Sequence, residues 1–306
     1  MTKFYPEGIL IDKAENKNFL KNPSTLIEAM HEGKILEAVV RICDSSHNMI
    51  LDLGGIKGII PREEGAIGIK EGSVRDIAII SRVNRPVCFI ITGMDTDENG
   101  KITAKLSRRA AQERCMEGYI KKLRAGDIID AKITHTEQFG AFADIGCGIV
   151  SLLPIDSMSV SRIEHPKQRF ANGTQIKAIV KSNEDGRICL SHKELLGTWE
   201  ENVKLFEIGE TVSGVVRSVE DYGAFVELAP NLAGLAELKD GLKPGVEVSV
   251  YIKNIIPSKM KIKLIIIDIF GEEKAPKPPR YFYEGERIEE FLYSPSGCDK
   301  VIESKF

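Results

Sequence analysis

The sequence predicts a mostly β chain: three tandem five-stranded barrels joined by short helices, followed by a short C-terminal β tail. Three observations carry this expectation. Phe139-Gly140-Ala141-Phe142 recurs 83 residues later as Tyr222-Gly223-Ala224-Phe225, and the same offset takes Gly126 to Gly209 and Ser151 to Gly234. Recurrence in register over that length marks a repeated supersecondary unit. Short β-branched segments separated by turn residues fill most of 33–268, about five to a module. Between 33 and 268, helical composition falls at the joints near 107–124 and 192–206.

The elements follow in order. Residues 1–22 are polar and read as irregular. Asn22-Pro23-Ser24-Thr25 opens a short helix, with Thr25 and Glu28 as a capping box and Gly33 as its stop. This gives an N-terminal arm and helix over 1–32. The first module, 33–111, holds the strand candidates ILEAVVRI, MILDLGG, KGIIP, VCFIITGM and KITAKL, with an insert at about 62–84. Asp95-Thr96-Asp97-Glu98-Asn99-Gly100 has a faint calcium-loop flavour but lies where a hairpin turn is needed. The second module, 125–193, reads IIDAKITHT, FGAFADIG, IVSLLP, QIKAIVKS and GRICLS. The third spans 208–268. GEEKAPKPPR is a proline-rich linker that cannot be regular helix. The tail, 281–306, holds strand candidates around YFY, IEEFLY and VIESKF, with Tyr281, Phe282, Tyr283, Phe291 and Tyr293 clustering its aromatics.

Composition narrows the function. Hydrophobic content of 42% with 28% charged residues is that of a soluble globular protein. A net charge of −3 means that nucleic-acid binding, if present, leans on stacking and local lysines rather than on a global field. Six scattered cysteines without a Cys-x-x-Cys pair favour reduced thiols in the cytoplasm over disulfides or zinc. The N-terminus lacks the pattern of a signal peptide. The most apolar run, Ile262 to Phe270, is far too short to span a bilayer, so no membrane partner is expected. The five histidines have no metal-ligand spacing, and no glycine-rich phosphate loop is followed by Lys-Ser or Lys-Thr. The expectation is a non-enzyme, with no catalytic residue, metal, cofactor or small-molecule substrate.

Five short strands with a helical or irregular link between the third and fourth is the pattern of the OB barrel, which binds oligonucleotides across its second and third strands. Two aromatics three apart point to opposite faces of an unbroken strand. The intervening glycine permits a bulge or twist that brings both rings to one face. The competing reading makes Phe142 and Phe225 core plugs, with Phe139 and Tyr222 at solvated strand starts beside Glu137-Gln138 and Glu220-Asp221. Ring faces at a barrel edge suit unpaired bases, so single-stranded nucleic acid is the first partner to consider. Trp199, in a joint, reads as a packing anchor between helix and barrel.

Modules two and three resemble the RNA-binding OB domain named after the large ribosomal protein S-one. GETVSGVVRSVEDYGAFVELAPNLAGLAEL follows that family through three strands; GDIIDAKITHTEQFGAFADIG and GRICLSHKELLGTW are also close, and SMSVSRIEHPKQRF looks like the family's link between strands three and four. Module one is a degenerate copy, with His47-Asn48-Met49-Ile50-Leu51-Asp52-Leu53-Gly54 where FGAFADIG stands in module two. The likeness covers roughly 24–268. It implies RNA binding by Phe139 and Phe142 with Arg187, and by Tyr222 and Phe225 with Lys261. Lys181 and Lys253 occupy matching places on the fourth strands, and Asn183 matches the family's polar residue four before the arginine. The histidine that the family often carries on the third strand is Pro154 in module two and Glu237 in module three. The implied function is that of an mRNA-binding protein of translation whose ringless first barrel docks on the 30S subunit. A protein-interaction scaffold and an RNA-binding accessory factor of an RNA-processing or transcription complex are the competing readings, and a structural spacer is the competing reading of module one.

Overall fold

The computed structural model describes residues 4–272 and 275–306; of the expected linker, Glu273 and Lys274 lie outside the described residues. Three closed five-stranded barrels share one strand order, first-second-third-fifth-fourth. Barrel one is β1 (Leu36–Cys43), β2 (Met49–Leu53), β3 (Ile56–Ile60), β4 (Pro86–Thr96) and β5 (Ile102–Ser107). Barrel two is β6 (Ile128–Glu137), β7 (Gly140–Gly146), β8 (Ile149–Pro154), β9 (Gln175–Glu184) and β10 (Arg187–Ser191). Barrel three is β11 (Thr211–Glu220), β12 (Gly223–Ala229), β13 (Leu232–Ala236), β14 (Val246–Ile256) and β15 (Lys261–Glu272), four residues longer than the expected end at Asp268. Each barrel closes through a parallel pairing of its third and fifth strands, at Gly58↔Ala104, Leu152↔Cys189 and Leu235↔Lys263. Closure removes the open edges that strands this short would otherwise expose.

Period-two patterning sets the inside of each barrel. On β15, Ile262, Leu264 and Ile266 are buried, while Lys261, Lys263, Ile265 and Ile267 face outward. Each buried aliphatic contributes about 1.5–3 kcal/mol relative to exposure.

The chain forms two compact units. The first runs to Lys122 and includes Asp144–Val150; the second comprises Leu123–Ala143 and Ser151–Phe306. In the first unit, the segment expected to be irregular carries a 3-10 turn at Leu10–Asp12 and helix α1 (Ala14–Phe19). Long-range bonds hold α1: buried Asn16 donates to Glu37 O at 2.9 Å and accepts from Glu37 N at 2.8 Å. Helix α2 (Pro23–Glu32) is capped by Asn22 and Thr25, each side chain accepting from the other's backbone N–H, rather than by Thr25 and Glu28. Gly33, at φ +59°, ends it as expected. The insert adds α3 (Ile77–Ile80), and the joint after barrel one is α4 (Arg108–Gly118). Arg108 of α4 grips Glu7 of the arm through two buried bonds, of 2.6 and 2.9 Å.

In the second unit, α5 (Trp199–Val203) starts in a Thr198–Glu201 capping box, and Trp199 is buried in the core of barrel three. The tail forms a two-stranded ribbon of β16 (Glu290–Leu292) and β17 (Glu303–Lys305); the YFY segment is not a strand. Instead Tyr281 accepts a hydrogen bond from Lys177 N at 2.9 Å, and Phe282 N donates to Leu195 O at 3.0 Å. Further bonds run from Ile128 N to Glu286 O and from Ile288 N to Gly126 O. Tyr293 enters the core of barrel three and donates to Asn231 O. The tail therefore laces β6, the joint and barrel three together. Among the described residues, no helix is long and apolar enough to cross a membrane.

Candidate nucleic-acid interface

The repeated phrase builds the same corner twice. Phe139 and Tyr222 lie in the turns before β7 and β12, where strand alternation does not apply, so each ring escapes the face its number would assign. Phe139 is 58% exposed and Tyr222 is 70% exposed, whereas Phe142 and Phe225 are half-buried on the outer face. The ring centroids are 5.9 Å apart at 89° in barrel two, and 6.3 Å apart at 90° in barrel three. These are edge-to-face pairs. Phe142 and Phe225 are thus not core plugs.

The glycine in each phrase is needed for close approach. A Cβ on Gly140 would meet Leu153 O at 2.7 Å, and one on Gly223 would meet Ala236 O at 2.6 Å. Gly223 also sits at φ +152°, a conformation that side chains disfavour.

Register fixes what stands beside the rings. Across barrel three the partners run Ser218, Phe225, Leu235, Lys263 and Asn254 on β11, β12, β13, β15 and β14. Strands about 4.8 Å apart put the Lys263 backbone about 10 Å from that of Phe225, within a lysine's reach of a nucleotide stacked there. The strand pattern exposes both Lys261 and Lys263, and only the pairing register singles out Lys263. Lys261 stands two residues earlier, opposite Ile256, and Lys253 is exposed on β14. In barrel two, Leu152 and Cys189 hold the places of Leu235 and Lys263, and burial pushes the Cys189 thiol up. Arg187, exposed at the start of β10, stands in register opposite Glu184 of β9. Lys181 Nζ lies 3.4 Å from Ser157 Oγ. Asn183 has structural work: its amide donates to Leu123 O at 2.8 Å, and its Oδ1 accepts from Gly186 N at 2.8 Å, shaping the β9–β10 turn.

One ring was not singled out from sequence. The His135 imidazole lies parallel to Phe142, with centroids 4.5 Å apart at 11°. Its outward place on β6, 83 residues before Ser218, is the signal that could have found it.

Barrel one lacks such a corner. Its corresponding row is Ile42, Ile50, Ile59, Lys105 and Gly93, and Ile42 is 59% exposed. His47 Nδ1 is 3.2 Å from Asp76 of the insert, and Lys105 pairs with Asp95 at 2.7 Å.

Fold and repeat together define a protein of three tandem OB-type barrels. Residues 122–193 match the family described as "S1 RNA binding domain". The chain is homologous to the protein named "Small ribosomal subunit protein bS1" over most of its length. It is 29% identical to that of Staphylococcus aureus (strain COL) over 264 residues, covering 80% of this chain and 64% of the relative. It is 27% identical to that of Leuconostoc lactis over 270 residues, covering 83% and 59%. The chain thus spans less than two thirds of the length of these curated relatives.

Proposed function

We propose that the chain is a non-enzymatic protein of translation that binds single-stranded RNA, mRNA in particular, on the corners of barrels two and three. The observation that supports this most is the exposure of Phe139 and Tyr222 at equivalent turns of two barrels, each beside a second ring. Each of these rings packs edge to face on its neighbour yet keeps most of its surface open to solvent, and each stacked base contributes about 1–3 kcal/mol without demanding a sequence. Arg187, Lys261, Lys263, Lys253 and Lys181 supply phosphate contacts in a chain with no overall basic field. Binding of a fluorescent U-rich or A-rich RNA to the intact protein and to Phe139→Ala/Tyr222→Ala tests this reading; unchanged affinity in the double variant overturns it.

Barrel one docks on the 30S subunit in this reading. Its aliphatic row in place of rings supports a protein or ribosomal contact over base stacking. Cosedimentation with 30S subunits that survives RNase treatment, and that Ile42→Lys abolishes, is the expected result.

A further inference from the structure

We infer that in barrel two the second base of a bound strand stacks on His135, and that Phe142 serves as the backing ring behind it. This rests on the proposed RNA binding and assigns its contacts.

Parallel rings 4.5 Å apart are in stacking contact, so the imidazole covers one face of Phe142. Phe139 meets the same phenyl ring edge to face, at 89°. Phe142 is half-buried as well. The rings left open to solvent in barrel two are those of His135 and Phe139, both exposed.

The imidazole is held in place from a second side. Thr134 Oγ1 donates its one proton to Phe142 O at 3.0 Å, and the same oxygen lies 3.1 Å from His135 Nδ1. With the hydroxyl donating to the carbonyl, Oγ1 accepts from the ring in the tautomer that carries its proton on Nδ1. Stack and hydrogen bond together fix the plane of the ring, which lowers the entropic cost of receiving a base.

Barrel three differs at this point. Ser218 stands at the position of His135 and is registered directly against Phe225. No imidazole backs onto Phe225, so a base there meets the phenyl ring itself. The two corners are therefore chemically distinct: His135 and Phe139 in barrel two, Phe225 and Tyr222 in barrel three.

The test is binding of a fluorescein-labelled oligouridylate to the full chain, with His135→Ala, His135→Phe and Phe139→Ala compared by anisotropy. Because His135 is exposed, unchanged thermal melting should accompany each of its variants. Loss of one stacked base weakens binding about 5- to 150-fold. The expected pattern is such a loss in His135→Ala, near-native affinity in His135→Phe, and a loss in Phe139→Ala. If Phe139→Ala weakens binding and His135→Ala does not, this inference falls while the RNA reading stands. Equal losses in His135→Ala and His135→Phe overturn stacking in favour of a polar contact. If neither Phe139→Ala nor His135→Ala weakens binding, the RNA-stacking reading itself fails and takes this one with it.

Discussion

Arg169 and Glu227 form a buried two-pronged ion pair, with Nη1 to Oε1 at 2.7 Å and a second bond from Nη2 to Oε2, that ties the link between β8 and β9 to β12 of barrel three. Arg217 Nη2 joins the same carboxylate at 2.9 Å. Burial alone would raise the Glu227 carboxyl, yet the two guanidinium groups outweigh it and hold it below the ordinary range. Nearby, buried Asn231 accepts from Val160 N at 2.9 Å and donates to Lys193 O at 2.8 Å and Gly197 O at 2.9 Å. Barrels two and three are thus joined through buried polar groups that bond across the seam.

Removing the shared carboxylate strands two buried guanidinium groups. Glu227→Leu should therefore cost about 3–5 kcal/mol. Arg169→Met should cost less, because Arg217 still neutralises the carboxylate. Urea denaturation of the two variants checks the order; equal losses would contradict it.

In the first unit, burial and then the Glu7 carboxylate push the Glu37 carboxyl from 4.5 up to about 7. Burial and then Glu7 also push Asp144 upward. A raised carboxyl binds its proton more tightly in the folded state. Its contribution is complete below the unfolded value and is lost as pH rises through the folded one. The urea midpoint should fall between about pH 5 and about pH 8, and Glu37→Gln should flatten part of that fall. A midpoint rising over this window would refute the assignment.

Few phosphates are neutralised if binding leans on rings. Each lost contact lowers the steepness of the log affinity–log salt plot by about 0.7 for single strands. Arg187→Gln and Lys263→Gln are each expected to shift it by that amount, with a modest loss of affinity at low salt. Fluorescence anisotropy across a salt series reads both.

Gly223→Ala places a methyl against Ala236 O, where a Cβ would stand at 2.6 Å, at an unfavourable φ of +152°. The cost should be at least about 1–3 kcal/mol. Thermal melting checks it, with Gly245→Ala as the comparison: Gly245 has open space about it but a positive φ as well, so its penalty isolates the backbone share.

The three-barrel plan was legible because the 83-residue repeat and period-two burial are local properties that survive into the fold. The cap of α2 was misplaced by one turn, since Asn22 and Thr25 form a reciprocal cap as well as Thr25 and Glu28 could have done. Helix α1 was not legible, because it depends on Asn16 meeting Glu37 far along the chain. Of the corner residues, Phe139, Phe142, Tyr222 and Phe225 were legible from the phrase itself. His135 and Lys263 were not, since strand pairing and ring contact bring them to it.

By itself the sequence determined how many barrels form, where their strands fall and which glycines and rings mark the repeated corner, because patterning and turn chemistry act over a few residues. The tertiary structure alone decided which way the rings face, which cation stands level with them, and that the tail laces barrel two to barrel three. Those depend on register and on contacts such as Arg169 with Glu227, 58 residues apart, which no local pattern encodes.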